Sequence, residues 1–216
     1  DLSDMRGRLP LKAFETKQIL RKSERWENST WKRGDKQDSV GYPTVVRNDR
    51  GKNPDGKYYL YYAHHDPTSG IGCAISKSIA GPYTKLAELD SSRKHSMVLV
   101  NPHSPGKPGD PSHYSSPCVV WNEDEQLWFM YFHYYNHFHG AWEADPQYPG
   151  DGNQMTALAS CADLASHEWT IFKNLKLGEV SVHDIVPVLP TTRKPWMHSE
   201  SSYHAVARLA DGRWLA

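Results

Sequence analysis

The chain lacks the usual covalent and metallic staples. Among its 216 residues stand three cysteines, Cys73, Cys118 and Cys161, an odd set with no Cys-x-x-Cys or His-Glu-x-x-His spacing nearby, so no disulfide framework or zinc-finger pattern organises the fold. Cys73 and Cys161 sit in strand contexts and read as buried free thiols. Excess charge of either sign is missing as well: the net charge is +0, without the basic footprint that nucleic acid demands. Mean hydropathy is −0.71, and no stretch approaches the roughly 20 apolar residues of a membrane span. No N-terminal apolar segment reads as a secretory signal, which is either absent or already removed.

What is present is repetition. Gly41-Tyr42-Pro43-Thr44-Val45-Val46, the turn Asp55-Gly56-Lys57 and Tyr58-Tyr59-Leu60-Tyr61-Tyr62-Ala63-His64 form one copy. Ser115-Ser116-Pro117-Cys118-Val119-Val120, Asp124-Glu125-Gln126 and Leu127-Trp128-Phe129-Met130-Tyr131-Phe132-His133 form a second. Ser202-Tyr203-His204-Ala205-Val206 and Asp211-Gly212-Arg213-Trp214-Leu215-Ala216 begin a third. Each copy is an apolar run, a turn and an aromatic, β-branched run, the pattern of an antiparallel hairpin. Asp-Gly is a favoured turn pair because its positions need positive φ. In the first two copies a third strand follows, with Ala74-Ile75-Ser76 matching Ala159-Ser160-Cys161. Tyr83 and Trp169 then lead into short fourth strands.

Four antiparallel strands per repeat predict an all-β fold, a β-propeller. A sandwich of hairpins is the alternative, but sandwiches do not usually repeat their loops together with their strands. The expected layout is one domain: an irregular lead-in over 1–40, blades over 41–100 and 113–180, and the start of another from 200 to 216. Propellers close with about four to eight blades, so two and a half to three blades read as a fragment with further blades to follow. The lead-in is expected to hold a ring-closing strand or a short helix around Lys12 to Lys22.

In a hairpin the start of one strand lies beside the end of the next. Residues before each first strand and after each second strand therefore meet at one rim, around the channel. This selects Asp38, Asp110, His113, Glu200 and Tyr203 ahead of first strands, and His64, His65, Asp66 and His133 behind second strands. His64 and His133 read as the same position in successive blades. Each also has an ordinary reading: strand-end histidines as hydrogen-bonded spacers, Tyr203 as core, Asp38 and Asp110 as turn residues. Convergence on one rim raises the set above these. The long insertion from His137 to Asn153 is a candidate lid, where Trp142 and Tyr148 would stack on a sugar ring or pin the loop. The imidazoles of His64, His65, His113, His133, His137 and His139 are numerous enough for zinc.

The cadence Tyr59-Leu60-Tyr61-Tyr62-Ala63-His64-His65, then Ala74-Ile75-Ser76 … Ala80-Gly81-Pro82-Tyr83, then His113-Tyr114-Ser115-Ser116-Pro117, resembles the five-bladed propeller glycoside hydrolases related to families 43 and 32. The resemblance runs from about Gly41 onward. It implies hydrolysis of glycosidic bonds in a poly- or oligosaccharide, with Asp38 as base and Glu200 as acid, because one carboxyl must protonate the leaving oxygen while another activates water or attacks. The family's tuning aspartate follows the second-blade proline, where this chain has Cys118. That departure gives weight to a weaker resemblance, to propeller polysaccharide lyases using histidine and tyrosine. His113, His133 and Tyr203 would then remove and deliver protons, with Arg208 stabilising the charge on a uronate carboxylate. A non-catalytic sugar-binding propeller is the third reading.

The expectations are therefore catalytic Asp38, His113, His133, Glu200 and Tyr203, with His64, His65, Asp66, Asp110, Trp142 and Arg208 contacting substrate. No cofactor is required, calcium or zinc being the ion the channel would take. The partner is a saccharide, not nucleic acid or membrane, and the location is secreted or periplasmic.

Overall fold

The computed structural model describes residues 17–27, 40–64, 70–101, 114–135, 154–172 and 205–215. Strands β1 (Gly41–Arg47), β2 (Tyr58–Ala63), β3 (Ile71–Ser76) and β4 (Thr84–Lys85) pair in sequence order, all antiparallel. A one-turn helix, α1 (Leu86–Leu89), follows, and β5 (Met97–Leu99) adds to the free edge of β3. The second sheet repeats the scheme with β6 (Tyr114–Asn122), β7 (Leu127–Tyr135), β8 (Gln154–Cys161) and β9 (Thr170–Ile171). A third sheet is described by β10 (Ala207–Arg208) and β11 (Trp214–Leu215). The fourth strands begin directly after Tyr83 and Trp169, as the repeat foretold. The pair α1 and β5 has no counterpart in the sequence reading.

The sheets are blades of a propeller, packed face against face with equivalent edges aligned. Innermost strand β1 lies against innermost strand β6. Tyr59 and Tyr61 of the first blade share one core with Trp128, Met130, Phe132, Ala157, Ala159 and Cys161 of the second. The opposite face of the first blade, with Leu60, Tyr62, Ala74 and Tyr83, is covered by Ile19, Leu20 and Trp26 of the lead-in. Every β2 side chain from Tyr59 to Ala63 is buried, as a strand walled on both sides must be. This is why its Tyr-Tyr-Leu-Tyr-Tyr run carries no polar alternation.

The lead-in holds by a buried ion pair. Glu27 and Lys85 have side chains 0% and 2% exposed and meet at 2.5 Å. The same carboxylate accepts the Tyr62 hydroxyl at 2.9 Å and the Ser23 and Glu24 amides at 2.7 and 2.8 Å, so its oxygens are satisfied, as burial requires. Trp26 stacks on Tyr62 with ring centroids 5.6 Å apart. Residue 72 must be glycine for this docking: a Cβ there would sit 2.6 Å from the Tyr62 ring and 2.8 Å from that of Trp26. The expected helix near Lys12 to Lys22 is corrected for its described part: 17–22 has no regular secondary structure, and only Arg25–Glu27 makes a 3-10 turn. Docking of Ile19 and Leu20 on the sheet replaces helical bonding there, while 12–16 lie outside the described residues.

Candidate site at the open ends of the blades

Which way each hairpin points decides what can share a site. In blade one, the turn over 48–57 closes with Asn48 donating to Asp55 at 3.0 Å and Gly56 at φ 71. This turn touches the turn end of blade two. Lys52 N–H donates to Ala162 O at 2.9 Å, the Asn53 amide donates to Asp163 at 2.6 Å, and the Trp128 indole donates to Arg50 O at 3.4 Å. Gly51 is what permits the approach, because a Cβ there would lie 2.7 Å from Ala162 O and its φ is +84. With the turns on one side, the open ends share the other. Ala63, followed by His64, and His133 therefore belong to one rim.

The open ends repeat in backbone detail. In blade one Gly41 pairs with Ala63 and Thr44 with Tyr61, so β1 carries one extra residue. In blade two Ser115 pairs with His133 and Cys118 with Tyr131, the same bulge. The bulged residues are Tyr42 (φ 52) and Ser116 (φ 49), each immediately before a proline and each left-handed without being glycine. Such conformations cost about 1–3 kcal/mol apiece and cluster at functional sites, and bulges re-aim side chains at rims.

The register corrects one expectation. His133 pairs with Ser115 as Ala63 pairs with Gly41, so Ala63, and not His64, is its counterpart; His64 corresponds to Tyr134. A slip of one residue moves a side chain to the other face of a sheet. His64 continues the Leu60 and Tyr62 alternation of β2, while His133 shares its face with Tyr131 and Phe129. Both histidines are 1% exposed.

Across the open end of blade two runs a buried polar row. Ser115, His133 and Thr156 are direct partners on three successive strands, at 0, 1 and 2% exposure. The equivalent row of blade one is Gly41, Ala63 and Ile71. Among the described residues no hydrogen-bond partner meets the Ser115 or Ser116 hydroxyl, both shielded from solvent. Sequence reasoning named His133 but missed Ser115, Ser116 and Thr156. The signal was there in Ser116-Pro117 aligning with Tyr42-Pro43, since a repeated residue before proline marks a constrained backbone.

Cys118 has a structural task. Its thiol accepts the Val206 amide at 3.3 Å and lies 3.6 Å from Val206 O. Thr44, its counterpart in blade one, accepts the Val119 amide at 3.5 Å. The residue after each proline thus receives the backbone of the next blade's inner strand. Cys73 and Cys161 are buried free thiols as expected, and burial raises both their pKa values.

Arg208 lies elsewhere. Its guanidinium donates twice to Asp124, at 3.0 and 3.2 Å, and covers the Trp214 ring. Asp124 is in the turn joining β6 to β7, six or more residues along the strand from His133, which at about 3.3 Å per residue is about 20 Å. An arginine held there faces the turn side and not the open-end rim, which corrects its assignment to substrate. Asp38, His65, Asp66, Asp110, His113, Trp142, Glu200 and Tyr203 lie outside the described residues, as do His137, His139 and Tyr148. Among the described residues no cluster of three or more His, Cys, Asp or Glu could hold a metal ion, and no helix is long and apolar enough to cross a membrane.

Radially packed four-stranded blades with open ends gathered on one side define the propeller class. No family model matches the chain. Over 83 residues it is 34% identical to the extracellular endo-α-(1→5)-L-arabinanase of Thermotoga petrophila, a match covering 36% of this chain and 17% of that protein. Among solved structures, a glycoside hydrolase family 43 protein of Bacillus licheniformis aligns with 71% of this chain and 25% of its own, at 17% identity and a TM-score of 0.40. The T. petrophila endo-1,5-α-L-arabinanase structure aligns with 57% of this chain and 39% of its own, at 18% identity and a TM-score of 0.25. The sequence match spans about a sixth of the length of the curated relative.

Proposed function

We propose that this chain belongs to a secreted carbohydrate-active propeller that hydrolyses glycosidic bonds at the open ends of its blades, on a polysaccharide such as an α-(1→5)-linked L-arabinan. The observation that carries the reading is the gathering of open ends on one side, with His133 and two strained, bulged strands at the rim. Sequence similarity to an extracellular arabinanase supports the reaction class, the substrate and the location. In this reading Glu200 donates the proton to the leaving oxygen and Asp38 activates water, the division of labour that glycoside hydrolysis requires.

One observation favours a second reading, β-elimination. The position after the blade-two proline holds a thiol engaged with Val206, where a tuning carboxylate would serve hydrolysis. His113, His133 and Tyr203 would then carry the protons.

The two are separated with full-length protein on a panel of arabinan, xylan and uronate-containing glycans. Hydrolysis releases reducing ends without new ultraviolet absorbance; elimination adds the absorbance of an unsaturated uronate. Glu200→Gln is expected to lower turnover by about 10²-fold or more, the contribution of a general acid. Full activity in Glu200→Gln, with loss in His133→Ala and Tyr203→Phe, would replace hydrolysis by elimination. Binding without turnover in either assay would leave a sugar-binding propeller.

A further inference from the structure

We propose that the corner 163–168 of blade two is an acid-released catch across the turn side of the seam with blade one, with His167 as its sensor. The catch is made of polar bonds at the edge of an apolar seam. Asn53 of the blade-one turn donates to Asp163 at 2.6 Å, and the Lys52 amide donates to Ala162 O at 2.9 Å. The corner itself is the 3-10 turn Leu164–Ser166, anchored by fully buried Leu164 and capped by the Asp163 side chain, which accepts the Ala165 amide. His167 ends it in the left-handed region, at φ 60, with exposed Ser166 and Glu168 on either side. Its ring turns back to the seam, the centroid 6.0 Å from that of Tyr59 on β2.

Nδ1 of His167 is shielded from solvent and meets no hydrogen-bond partner among the described residues. A neutral imidazole tolerates this. An imidazolium carries N–H on both nitrogens and a charge that burial penalises. The charged groups around it are Arg93, on the segment joining α1 to β5, Asp55 on the blade-one turn, and Asp163 on its own corner. Arg93 repels a second cation. Both carboxylates are already engaged, Asp55 by Asn48, Lys57 and Tyr59, and Asp163 by Asn53 and Ala165. A protonated His167 therefore gains an acceptor by taking Asp163 from Asn53, or gains water by turning out. Either move parts the corner from blade one. The aromatic core of the seam, Tyr61 with Met130 and Phe132, does not depend on those bonds, so the release is local and the blades stay folded.

Hydrogen–deuterium exchange of the full-length protein, read at single amides and corrected for the intrinsic pH dependence of exchange, tests this. The Lys52 amide reports on the catch, and the Asn48 amide, bonded to Lys57 O within the same turn, is the control. Protection at Lys52 is expected to fall by about 10²-fold from about pH 7 to about pH 4, because the His167 pKa is about 4 in the closed corner and its ordinary 6.5 in the open one. Asn48 is expected to keep its protection. His167→Asn, neutral throughout and at ease in the left-handed region, is expected to hold Lys52 level. Asn53→Ala is expected to loosen Lys52 by about tenfold already at neutral pH, one hydrogen bond's worth. Level protection at Lys52 in the parent, an equal fall at Asn48, the same fall in His167→Asn, or parental protection in Asn53→Ala would overturn the inference.

Discussion

Blades one and two are built to one plan and finished differently. Their hairpins share register, bulge, proline and seam residue, Thr44 in one and Cys118 in the other. Where they differ, the difference tracks the neighbour. On the outer strand, Ala74 pairs with Lys85 in blade one and the equivalent Ala159 pairs with Ile171 in blade two. Lys85 meets Glu27 of the lead-in, whereas Ile171 packs on the apolar core between the blades. At the open end, apolar Gly41, Ala63 and Ile71 face polar Ser115, His133 and Thr156. Shared features make the scaffold; divergent ones mark where the molecule meets something else.

The comparison breaks most visibly at the lead-in. Lys85→Ile makes the outer strand of blade one resemble that of blade two but leaves Glu27 as a buried, unpaired charge. It is expected to cost about 3–5 kcal/mol in denaturant unfolding, and parental stability would show that the ion pair does not hold the lead-in. The seam comes next. Cys118→Thr copies blade one and should melt within a degree or two of the parent. Cys118→Ala removes the acceptor of the Val206 amide and should cost about 1 kcal/mol, or a midpoint lower by about 2–4 °C. Equal midpoints for the two variants would deny the equivalence of Thr44 and Cys118.

The turn side titrates on its own. Burial, with a further push from Arg93, lowers the His167 pKa to about 4 from its ordinary 6.5. The unfolded chain therefore binds a proton between those values that the folded chain refuses. Stability from this group is complete above about pH 6.5 and is lost as pH falls towards 4. His167→Asn, which tolerates the left-handed backbone at this position (φ 60), should flatten the fall of the melting midpoint across that window; an unchanged slope would assign the acid sensitivity to other groups. The smallest effect belongs to Arg208. Its pair with Asp124 is a partly exposed surface bridge, so Arg208→Ala should shift stability by less than about 1 kcal/mol and leave sugar affinity unchanged. Lost affinity would return this arginine to the rim.

Much of the scaffold was legible because strands declare themselves locally. The match of Ala74 to Ala159 is the register match, since Leu60 and its counterpart Met130 pair with them. The aromatic run of β2 and the Asp-Gly turns carry their own conformational preferences. What escaped the reading depends on counts and distances that a string of letters does not display. The strands match Leu60 to Met130 and Ala63 to His133, one residue out of step with the turn residues Asp55 and Asp124, and that separates His64 from His133. The Cys118 seam joins residues far apart in sequence, and so does the pair of Glu27 with Lys85. Arg208 is the cation nearest in sequence to Tyr203, but its strand carries it to the turn of the preceding blade.

The central claim is that radial hairpins bring one set of ends to a common mouth where sugar is bound. A crystal structure of the full-length protein with a bound arabino-oligosaccharide tests it most directly. The account predicts sugar at the open ends of the blades. Sugar at the turn side, near Asp124 and Asp163, or sheets layered as a sandwich, would contradict it.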